Sequence, residues 1–374
     1  MIDQTILFPY WITLKIRHLM FDLGLRKEHV ADVPTICVGN VTVGGTGKTP
    51  HTEMIIRELL ADSQWKGDNI SVISRGYKRK TSGFQQVMAG SSAKEYGDEP
   101  LQIKNKFPEV TVAVDKSRIR GCDFLAHPEK LAESKNAKKC RNKDFRPADL
   151  IIMDDAFQYR SLKASLSIVL VDWNRPVFKD HLLPIGRLRD LPERIAAADV
   201  IIVTKCPHEI NGWQRSNWAE ALGLTQYDSS LCHGIRGTKK QHLFFTCIDY
   251  DGIRPVFDEG DNRYLYAKKL ILFSGIANDT PLRSYLSSNY KMVRHFSFPD
   301  HHAFTRSDIS EIKDAAKAYP TAVIMTTEKD SQRIRDCKYV DNNLKTKLFY
   351  VPIKTSFLSE EDRQVFVSLL NDLK

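Results

Sequence analysis

A glycine-rich segment, Val43-Gly-Gly-Thr-Gly-Lys-Thr-Pro50, contains the residue types that bind a nucleoside triphosphate. It follows the apolar run Thr35–Val38, which predicts a buried strand, and it leads into a predicted helix beginning near Lys48. In such a turn, backbone N–H groups surround the phosphates, the lysine reaches the β- and γ-phosphates, and the threonine hydroxyl can bind Mg²⁺. The predicted nucleotide-binding residues are Gly44, Gly45, Thr46, Gly47, Lys48 and Thr49.

This loop departs from the common phosphate-binding pattern because Thr42 stands where a glycine is usual. A glycine-rich turn without a ligand is therefore the alternative interpretation. The preceding strand, the Gly-Lys-Thr sequence and a later acidic strand end together favour nucleotide binding. The loop predicts that a nucleoside triphosphate is the co-substrate, but it does not indicate which reaction takes place.

Two neighbouring carboxylates, Asp154 and Asp155, follow the apolar run Leu150–Met153. A strand-end aspartate beside a phosphate loop holds the Mg²⁺ shell directly or through water. Such a residue is otherwise a cap or a turn residue. Both are predicted metal-site residues, and Asp155 is favoured.

Two further acidic segments could supply acid–base chemistry. In Gly97-Asp98-Glu99-Pro100, a carboxylate is either an ordinary first-turn acid of a helix or a group that accepts a proton from an alcohol during phosphoryl transfer. The spacing favours neither interpretation. Asp300-His301-His302 could be part of a metal site, a helix cap with surface histidines, or a loop whose His301 pairs with Asp98.

The strand Ile201–Thr204 ends before Lys205, as in the base-recognition strand of guanine-nucleotide switches. The aspartate that reads guanine is replaced by Pro207, so adenine is the favoured base.

Alternation of apolar strand-like runs with helix-like segments predicts an α/β fold, with a doubly wound parallel sheet of the P-loop type and a second, smaller α/β domain. We expect three parts: an N-terminal amphipathic helix in 1–30, a P-loop core in 31–230 and a C-terminal domain in 231–374 that carries the Asp-His-His loop. The predicted strands are Thr35–Val38, Ile70–Ser74, Val110–Val114, Leu150–Met153, Ser167–Val171, Val200–Thr204, Leu243–Cys247, Lys269–Phe273, Lys291–Phe296, Ala322–Met325 and Lys347–Val351.

Composition limits the classes of partner. The chain has 374 residues, a formal charge of +9 and seven scattered cysteines, which favour a reducing compartment. Cys206 with His208, and Cys232 with His233, lack a second half-site at zinc-ligand spacing. No nucleic-acid-binding motif is present, and the basic stretch 129–146 is interpreted as a solvated insertion. No feature predicts a protein partner.

The N-terminal segment predicts an amphipathic helix. Ile12, Ile16, Leu19, Met20 and Leu23 form an apolar stripe, with aromatic residues at its start and Lys15, Arg17 and His18 beside it. A helix of this kind lies in a membrane interface or packs on the protein's own core, and periodicity alone does not separate the two. No run is long enough to span a membrane, and no signal peptide is recognised.

Taken together, the motifs resemble those of the tetraacyldisaccharide 4′-kinase family of lipid A biosynthesis. The resemblance extends from residue 34 to 330 and rests on the following stretches: Val38-Gly-Asn-Val-Thr-Val-Gly-Gly-Thr-Gly-Lys-Thr-Pro50, Ser74-Arg-Gly-Tyr77, Gly97-Asp-Glu-Pro100, Asp154-Asp-Ala-Phe-Gln158, Leu183-Pro-Ile-Gly-Arg-Leu-Arg-Asp190, Phe273-Ser-Gly-Ile-Ala277, Phe298-Pro-Asp-His-His302 and Thr327-Glu-Lys-Asp330.

The resemblance implies a peripheral kinase on the cytoplasmic side of the inner membrane. It would transfer the γ-phosphate of ATP, with Mg²⁺, to the 4′-hydroxyl of an acylated disaccharide 1-phosphate, giving lipid IVA. It implies that Asp98 is the catalytic base with His301 as its partner, that Lys48 is catalytic, and that Thr49 and Asp155 belong to the metal shell. The residues expected to contact nucleotide or substrate are Tyr77, Gln158 and Arg118.

The same resemblance favours membrane contact for the N-terminal helix, because a substrate with four acyl chains stays in the bilayer. Candidates for binding the substrate's 1-phosphate are Arg75, Lys78, Arg187 and Arg189. The chain departs from the family at Tyr159, where histidine is frequent.

The alternative function is a P-loop NTPase switch or a metallochaperone-like GTPase or ATPase. Val43 stands where partitioning ATPases carry a second lysine, and no Cys or His metal pair is recognised.

Overall fold

Two α/β units are built around separate sheets in the computed structural model, which describes the backbone of residues 2–373 and the side chains of 7–373 except Asn136. Met1 and Lys374, at the ends of the predicted ranges 1–30 and 231–374, lie outside the described residues. The strands are β1 (His29–Val30), β2 (Thr35–Gly39), β3 (Ile70–Ser74), β4 (Gln85–Gln86), β5 (Thr111–Val114), β6 (Leu150–Asp154), β7 (Leu162–Lys163), β8 (Leu166–Asp172), β9 (Val200–Thr204), β10 (Thr225–Asp228), β11 (His233–Arg236), β12 (Lys239–Tyr250), β13 (Arg254–Pro255), β14 (Lys269–Ser274), β15 (Lys291–Ser297), β16 (Val323–Thr327), β17 (Leu348–Val351) and β18 (Ile353–Phe357).

The α-helices alternate with these strands over most of the chain. They are α1 (Ile2–Asp22), α2 (Lys48–Ala61), α3 (Ala93–Tyr96), α4 (Asp98–Lys106), α5 (Arg118–Ala126), α6 (Pro128–Glu133), α7 (Gly212–Ala221), α8 (Thr280–Ser287), α9 (Arg306–Ala318), α10 (Glu328–Arg335), α11 (Asn342–Lys347) and α12 (Glu360–Asn371). The predicted α/β fold is confirmed.

The larger sheet has the order β10-β11-β12-β9-β8-β2-β6-β3-β5-β4, and β18 pairs with β12. Neighbouring strands from β12 to β5 are parallel. Helices cover both faces, so the central strands are buried on both sides and consist of continuous β-branched and aliphatic runs. The glycine-rich turn follows β2, between the ends of β6 and β8, where ligands of such sheets bind.

The smaller sheet has the order β13-β17-β16-β14-β15, with only β13 antiparallel to its neighbour in the described residues. Its two faces pack against α8 on one side and α9 on the other, with buried leucine, isoleucine and phenylalanine side chains between the layers.

The predicted division at residue 230 differs from the sheet topology. Strands β10 to β12 belong to the larger sheet, and β18 and α12 return to it from the second unit. The return is driven by burial, because Phe366 and Leu370 of α12 lie in the core on one face of the larger sheet. The smaller unit therefore comprises about residues 254 to 351, bounded by β13 and β17.

Helix α1 packs on the larger unit through one face and leaves its apolar stripe exposed. Leu14, His18 and Phe21 are buried, whereas Ile12, Ile16, Leu19 and Leu23 are exposed. The face that packs on the protein's own core is therefore a different face from the predicted apolar stripe. Among the described residues, no helix is long and apolar enough to cross a bilayer.

The cations of α1 differ from the expectation that they face lipid headgroups. Lys15 forms an ion pair with Glu193 at 2.5 Å, and Arg17 donates to the backbone oxygen of Gln158 at 2.7 Å. Both side chains are directed to the protein because anionic and carbonyl oxygens lie within their reach there.

Candidate active site

The turn after β2 has a backbone conformation that requires glycine. Gly44 and Gly47 have φ angles of 105° and 90°, in the left-handed region that side chains with a Cβ rarely adopt. The turn is held from both sides: the amide of Thr46 donates to the carbonyl of Gly44 at 3.0 Å, and the Thr204 hydroxyl donates to the carbonyl of Thr46 at 3.0 Å. Helix α2 begins at Lys48, so its N-terminus faces the turn.

Lys205 fixes the same turn instead of standing free beside a base. Its ammonium lies 2.5 Å from the carbonyl oxygen of Gly45 and 2.5 Å from Asp172 at the end of β8. The Lys205 ammonium therefore bridges the glycine-rich turn after β2 and the ends of β8 and β9.

Asn40 and Arg189 hold the glycine-rich turn, residues 43–50, through hydrogen bonds. Buried Asn40 donates to the hydroxyls of Thr46 at 2.6 Å and Thr42 at 3.2 Å. Arg189 donates to the side-chain oxygen of Asn40 at 2.6 Å and forms an ion pair with Asp155. Arg189 is thus engaged with the loop and the strand end, and it differs from its expected role as a free phosphate-binding cation.

The two strand-end carboxylates have different environments. Asp154 is buried, and burial, with the charges of Glu99 and Asp155 adding to it, raises its pKa to about 7. Burial also acts on Asp155, but Lys48 and Arg189 outweigh it and hold its pKa below the ordinary value. The Lys48 ammonium lies 3.9 Å from Asp155, whose side chain is partly open. Asp155 is therefore the anionic ligand that a cation can reach.

A third buried group, His51, lies one turn into α2. Its Nδ1 is 2.7 Å from the carbonyl oxygen of Gly47, and its Nε2 is 2.9 Å from the hydroxyl of Thr246. Burial, supported by the charges of Lys205 and Arg57, lowers its pKa to about 4. The neutral ring therefore joins the nucleotide-binding turn to β12.

We expect acid to destabilise the protein through His51. The unfolded imidazole takes up a proton near pH 6.5 and the folded one near 4, so the stabilisation is present above pH 6.5 and is lost as the pH falls toward 4. The loss is on the order of 3 kcal/mol for such a shift. Urea unfolding of His51→Gln between pH 7 and 4.5 should show a flatter pH dependence than the unaltered protein, and an identical slope would contradict this assignment.

Asp98 and His301 come from different units and are in contact. Asp98 is the first residue of α4, and its Oδ2 lies 3.1 Å from His301 Nδ1. Arg333 of α10 donates through Nε to the same oxygen at 3.0 Å. Burial opposes ionisation of Asp98, but His301, Arg333 and Lys329 outweigh it and hold its pKa far below the ordinary value. Asp98 is therefore a fixed anion.

The bonds to Asp98 leave one oxygen available. All of its hydrogen bonds to the described residues are made by Oδ2, so Oδ1 is the atom that an incoming hydroxyl can reach. His301 is held on its other side by Lys329, whose ammonium lies 3.0 Å from Nε2. Arg333 Nη2 also lies 3.2 Å from His301 Nδ1, so the ring is placed between an ammonium and a guanidinium, with Asp98 beside Nδ1. Tyr77 meets the ring edge-on at 5.5 Å.

The two halves of the site adjoin one another at Glu99. Its charge is among the causes that raise the pKa of Asp154, and it forms an ion pair with Lys329 at 3.3 Å. Glu99, the neighbour of Asp98 in the chain, therefore links the Asp98–His301 pair to the strand-end carboxylates.

The remaining predicted residues are placed differently. Tyr77 is exposed beside His301, and Gln158 donates to the backbone oxygen of Asn40. Arg118 is buried and donates to the backbone oxygens of Asp115 at 2.8 Å and Asp154 at 3.3 Å. It differs from the expected ligand contact, because its guanidinium is used to hold a strand end. His302 pairs at 2.8 Å with Asp308, which completes the capping box of α9, instead of with Asp98.

Four site residues were not assigned roles from the sequence: Asn40, Glu99, Lys329 and Arg333. Three of them stand within the motifs quoted above, and Arg333 follows Lys329 by one helical turn. That spacing was the available signal for Arg333, since it places both cations on one face of α10.

The comparisons with known proteins agree with this geometry. The sequence model of the family described as tetraacyldisaccharide-1-P 4′-kinase matches residues 5–373. The chain belongs to this family. A tetraacyldisaccharide 4′-kinase of Parabacteroides distasonis is 40% identical over 365 residues, covering 96% of this chain and 90% of the relative. That of Flavobacterium psychrophilum is 37% identical over 366 residues, covering 96% and 93%.

A solved structure shows the same fold. LpxK from Aquifex aeolicus, in complex with ATP, aligns with 99% of both chains at a TM-score of 0.66 and 23% identity. The predicted family, the enzyme class of kinase and the place in lipid A biosynthesis are confirmed by family membership.

Proposed function

We propose that this chain transfers the γ-phosphate of ATP to the 4′-hydroxyl of a tetraacylated disaccharide 1-phosphate, forming lipid IVA. The observation that carries the proposal is the presence of two features together. A glycine-rich turn stands beside the strand-end carboxylate Asp155, and a buried, ionised Asp98 with a free oxygen adjoins that strand end through Glu99. A nucleotide switch needs only the first of these features.

The glycine-rich turn and the start of α2 would bind ATP, the phosphate donor, through Gly44, Gly45, Thr46, Gly47, Lys48 and Thr49. The left-handed glycines and the start of α2 at Lys48 support this assignment. ATP is also the nucleotide named for the related Aquifex structure.

Mg²⁺ would be held by Thr49 and Asp155, with Asp154 behind them. The donor set fits this hard cation, because it consists of a hydroxyl and carboxylates beside the phosphate-binding turn. The partly open carboxylate of Asp155, whose lowered pKa keeps it ionised, supports it as the direct ligand, and burial of Asp154 supports an indirect role. When bound, the ion would neutralise charge on the β- and γ-phosphate oxygens.

The acceptor hydroxyl would be oriented by Asp98 Oδ1. Phosphoryl transfer has a loose transition state, so positioning of the nucleophile and late acceptance of its proton count for more than strong basicity. His301, Lys329 and Arg333 fix the carboxylate, and Lys48 would stabilise the transferring phosphoryl group. Tyr77, exposed beside His301, and Gln158 would contact the substrate.

The protein would work as a peripheral enzyme on the cytoplasmic side of the inner membrane. The exposed apolar stripe of α1 supports this location, since four acyl chains keep the acceptor in the bilayer. Tyr10 of the same helix donates to the backbone oxygen of Arg189 at 2.8 Å, so the helix adjoins the nucleotide-binding turn. The exposed basic side chains of Arg75 and Lys78, which flank Tyr77 closely in the sequence, would meet the 1-phosphate.

Phosphate transfer tests the whole proposal. Purified protein is incubated with γ-labelled ATP, Mg²⁺ and tetraacyldisaccharide 1-phosphate in detergent micelles, and the label is followed. Label on the lipid is expected. Label that appears only as free phosphate would support an NTPase switch and contradict the kinase.

Replacing Leu19 with glutamate should weaken binding to vesicles that contain anionic lipid by at least about tenfold, because an apolar contact is exchanged for a charge that opposes burial and the surface potential. Leu231 is a matched control: it is 53% exposed, as is Leu19, but it lies outside α1. Vesicle sedimentation of Leu19→Glu and Leu231→Glu measures the difference. Equal losses, or none for Leu19→Glu, would contradict the membrane role of the stripe.

A further inference from the structure

Two short sequence pairs that the kinase reaction does not use converge at one place. His208 follows β9 and stands two residues after Cys206, and Cys247 and Asp249 lie two residues apart on β12. Cys247 and Asp249 supply the further metal ligands that the sequence around His208 lacks. One ligand atom from each of His208, Cys247 and Asp249 lies within 4.8 Å of the others.

The separations suit a tetrahedral ion. Nδ1 of His208 lies 3.6 Å from Oδ1 of Asp249, and Sγ of Cys247 lies 3.9 Å from Oδ2 of the same carboxylate. Zinc bonds of about 2.0 to 2.3 Å in tetrahedral geometry place neighbouring ligand atoms about 3.3 to 3.6 Å apart. The two separations that involve the oxygens of Asp249 are therefore within a few tenths of an ångström of those in a zinc site, and all three ligand atoms lie within 4.8 Å of one another.

From this geometry we infer that His208, Cys247 and Asp249 form a zinc site with water as its fourth ligand. Imidazole, thiolate and carboxylate are the donors that zinc prefers, and the two anionic ligands balance the charge of Zn²⁺. On binding, the thiol of Cys247 loses its proton to water and the sulfur forms the metal bond. The carboxylate, which otherwise accepts the thiol's weak hydrogen bond, becomes a ligand.

The location gives the ion a structural effect. Three residues before His208, Lys205 is bonded to the nucleotide-binding turn, and Cys247 and Asp249 lie on the strand that pairs with β18. Through β12 and β18 the chain passes from the larger sheet to the smaller unit and back. Bound zinc would therefore tie the loop after β9 to the strand pair that connects the two units.

A second cluster within the described residues is of a different kind. Asp32, Asp123 and His127 also have ligand atoms within 4.8 Å, but they offer no sulfur and lie at the surface. That cluster resembles an ordinary set of exposed ion pairs. Because it offers no sulfur, cobalt bound there would not give the thiolate absorption that the test below measures.

Cobalt(II) tests the assignment because only a thiolate ligand gives an intense sulfur-to-cobalt absorption in the near ultraviolet. The full-length, chelator-treated protein is titrated with Co²⁺ and then with Zn²⁺. We expect the absorption to saturate at about one ion per chain and to disappear when zinc displaces cobalt. Absence of the band in the unaltered protein would overturn the proposal.

The variants separate the site from the other thiols. Cys247→Ser should lose the band, and His208→Ala, which alters an exposed side chain and leaves the fold intact, should weaken cobalt binding at least tenfold. Cys337→Ser, which removes the one cysteine described as only partly buried, should retain the band. Persistence of the band in Cys247→Ser, or its loss in Cys337→Ser, would overturn the assignment. These readouts do not depend on phosphate transfer.

Discussion

Replacing Asp98 with asparagine should lower kcat by about 10² to 10⁴ and leave the affinity for ATP nearly unchanged. The factor is that of a positioned proton acceptor. Affinity should be retained because Asp98 lies at the start of α4, whereas the turn proposed to bind ATP precedes α2. Turnover on acylated disaccharide 1-phosphate and ATP binding by calorimetry measure the two quantities separately.

The side chains around Asp98 determine how it affects the pH dependence of this reaction. Because His301, Arg333 and Lys329 hold the pKa of Asp98 far below its ordinary value, the carboxylate stays ionised throughout any practical assay range. An acidic limb in the kcat profile must therefore come from another group. In Asp98→Asn, the amide nitrogen would face hydrogen-bond donors on two sides. The variant therefore loses both the proton acceptor and the orientation of the site.

His301→Ala should also lower kcat strongly without loss of ATP binding. His302→Ala is its matched control, since this neighbouring ring pairs with Asp308 and stacks on Phe298 away from the cleft. We expect His302→Ala to retain most of the activity. Lost ATP binding in the Asp98 or His301 variant, or equal losses of turnover in the two histidine variants, would contradict the roles assigned here.

The elements that the sequence predicts well are those whose signal is local. Continuous apolar runs predict the buried parallel strands β2, β3, β6, β8 and β9 to within one or two residues, because burial on both faces leaves little polar alternation. The nucleotide-binding turn is contiguous in sequence, so its residues could be identified together.

The features of the fold and of the site that the sequence does not predict depend on tertiary contacts. Strands β10 and β18 are short and partly exposed, so they lack an apolar signal, and their pairing with the larger sheet moves the unit boundary from 230. Arg189 is recognisable as a cation, but only the fold shows that it bonds Asn40 and Asp155. The pairing of Asp98 with His301, by contrast, was among the alternatives that the sequence left open, and the structure brings the two side chains together.

The second large effect is expected at the boundary between the units, where Lys106 is enclosed by two carboxylates. Its ammonium lies 2.7 Å from Glu53 of α2 and 3.1 Å from Glu328 of α10, and all three side chains are largely buried. Helix α4 begins at Asp98 and ends at Lys106, so the same helix carries the catalytic carboxylate at its other end. The ion triad thereby connects the helices of both walls of the cleft.

Lys106→Met should destabilise the protein by about 3 to 5 kcal/mol near pH 8, because the buried Glu328 then lacks its cation and the buried Glu53 retains only Arg57, at 3.9 Å. Burial and the charge of Glu53 already raise the pKa of Glu328 to about 6. Removal of Lys106 raises it further, so protonation offsets part of the loss as the pH falls below that value. The midpoint of urea unfolding at pH 8 and pH 5 measures both effects.

A double variant distinguishes the triad from a simple loss of packing. Adding Glu328→Gln to Lys106→Met removes one uncompensated charge and should recover part of the stability at pH 8, which a packing defect would not. Lys317→Met is the control, since its exposed pair with Asp314 contributes at most about 1 kcal/mol. If the double variant is no more stable than Lys106→Met, the two buried carboxylates are not the cause of the destabilisation in Lys106→Met. Recovery would instead establish Lys106 as the charge that holds α2, α4 and α10, and with them Lys48, Asp98 and Arg333, in one arrangement.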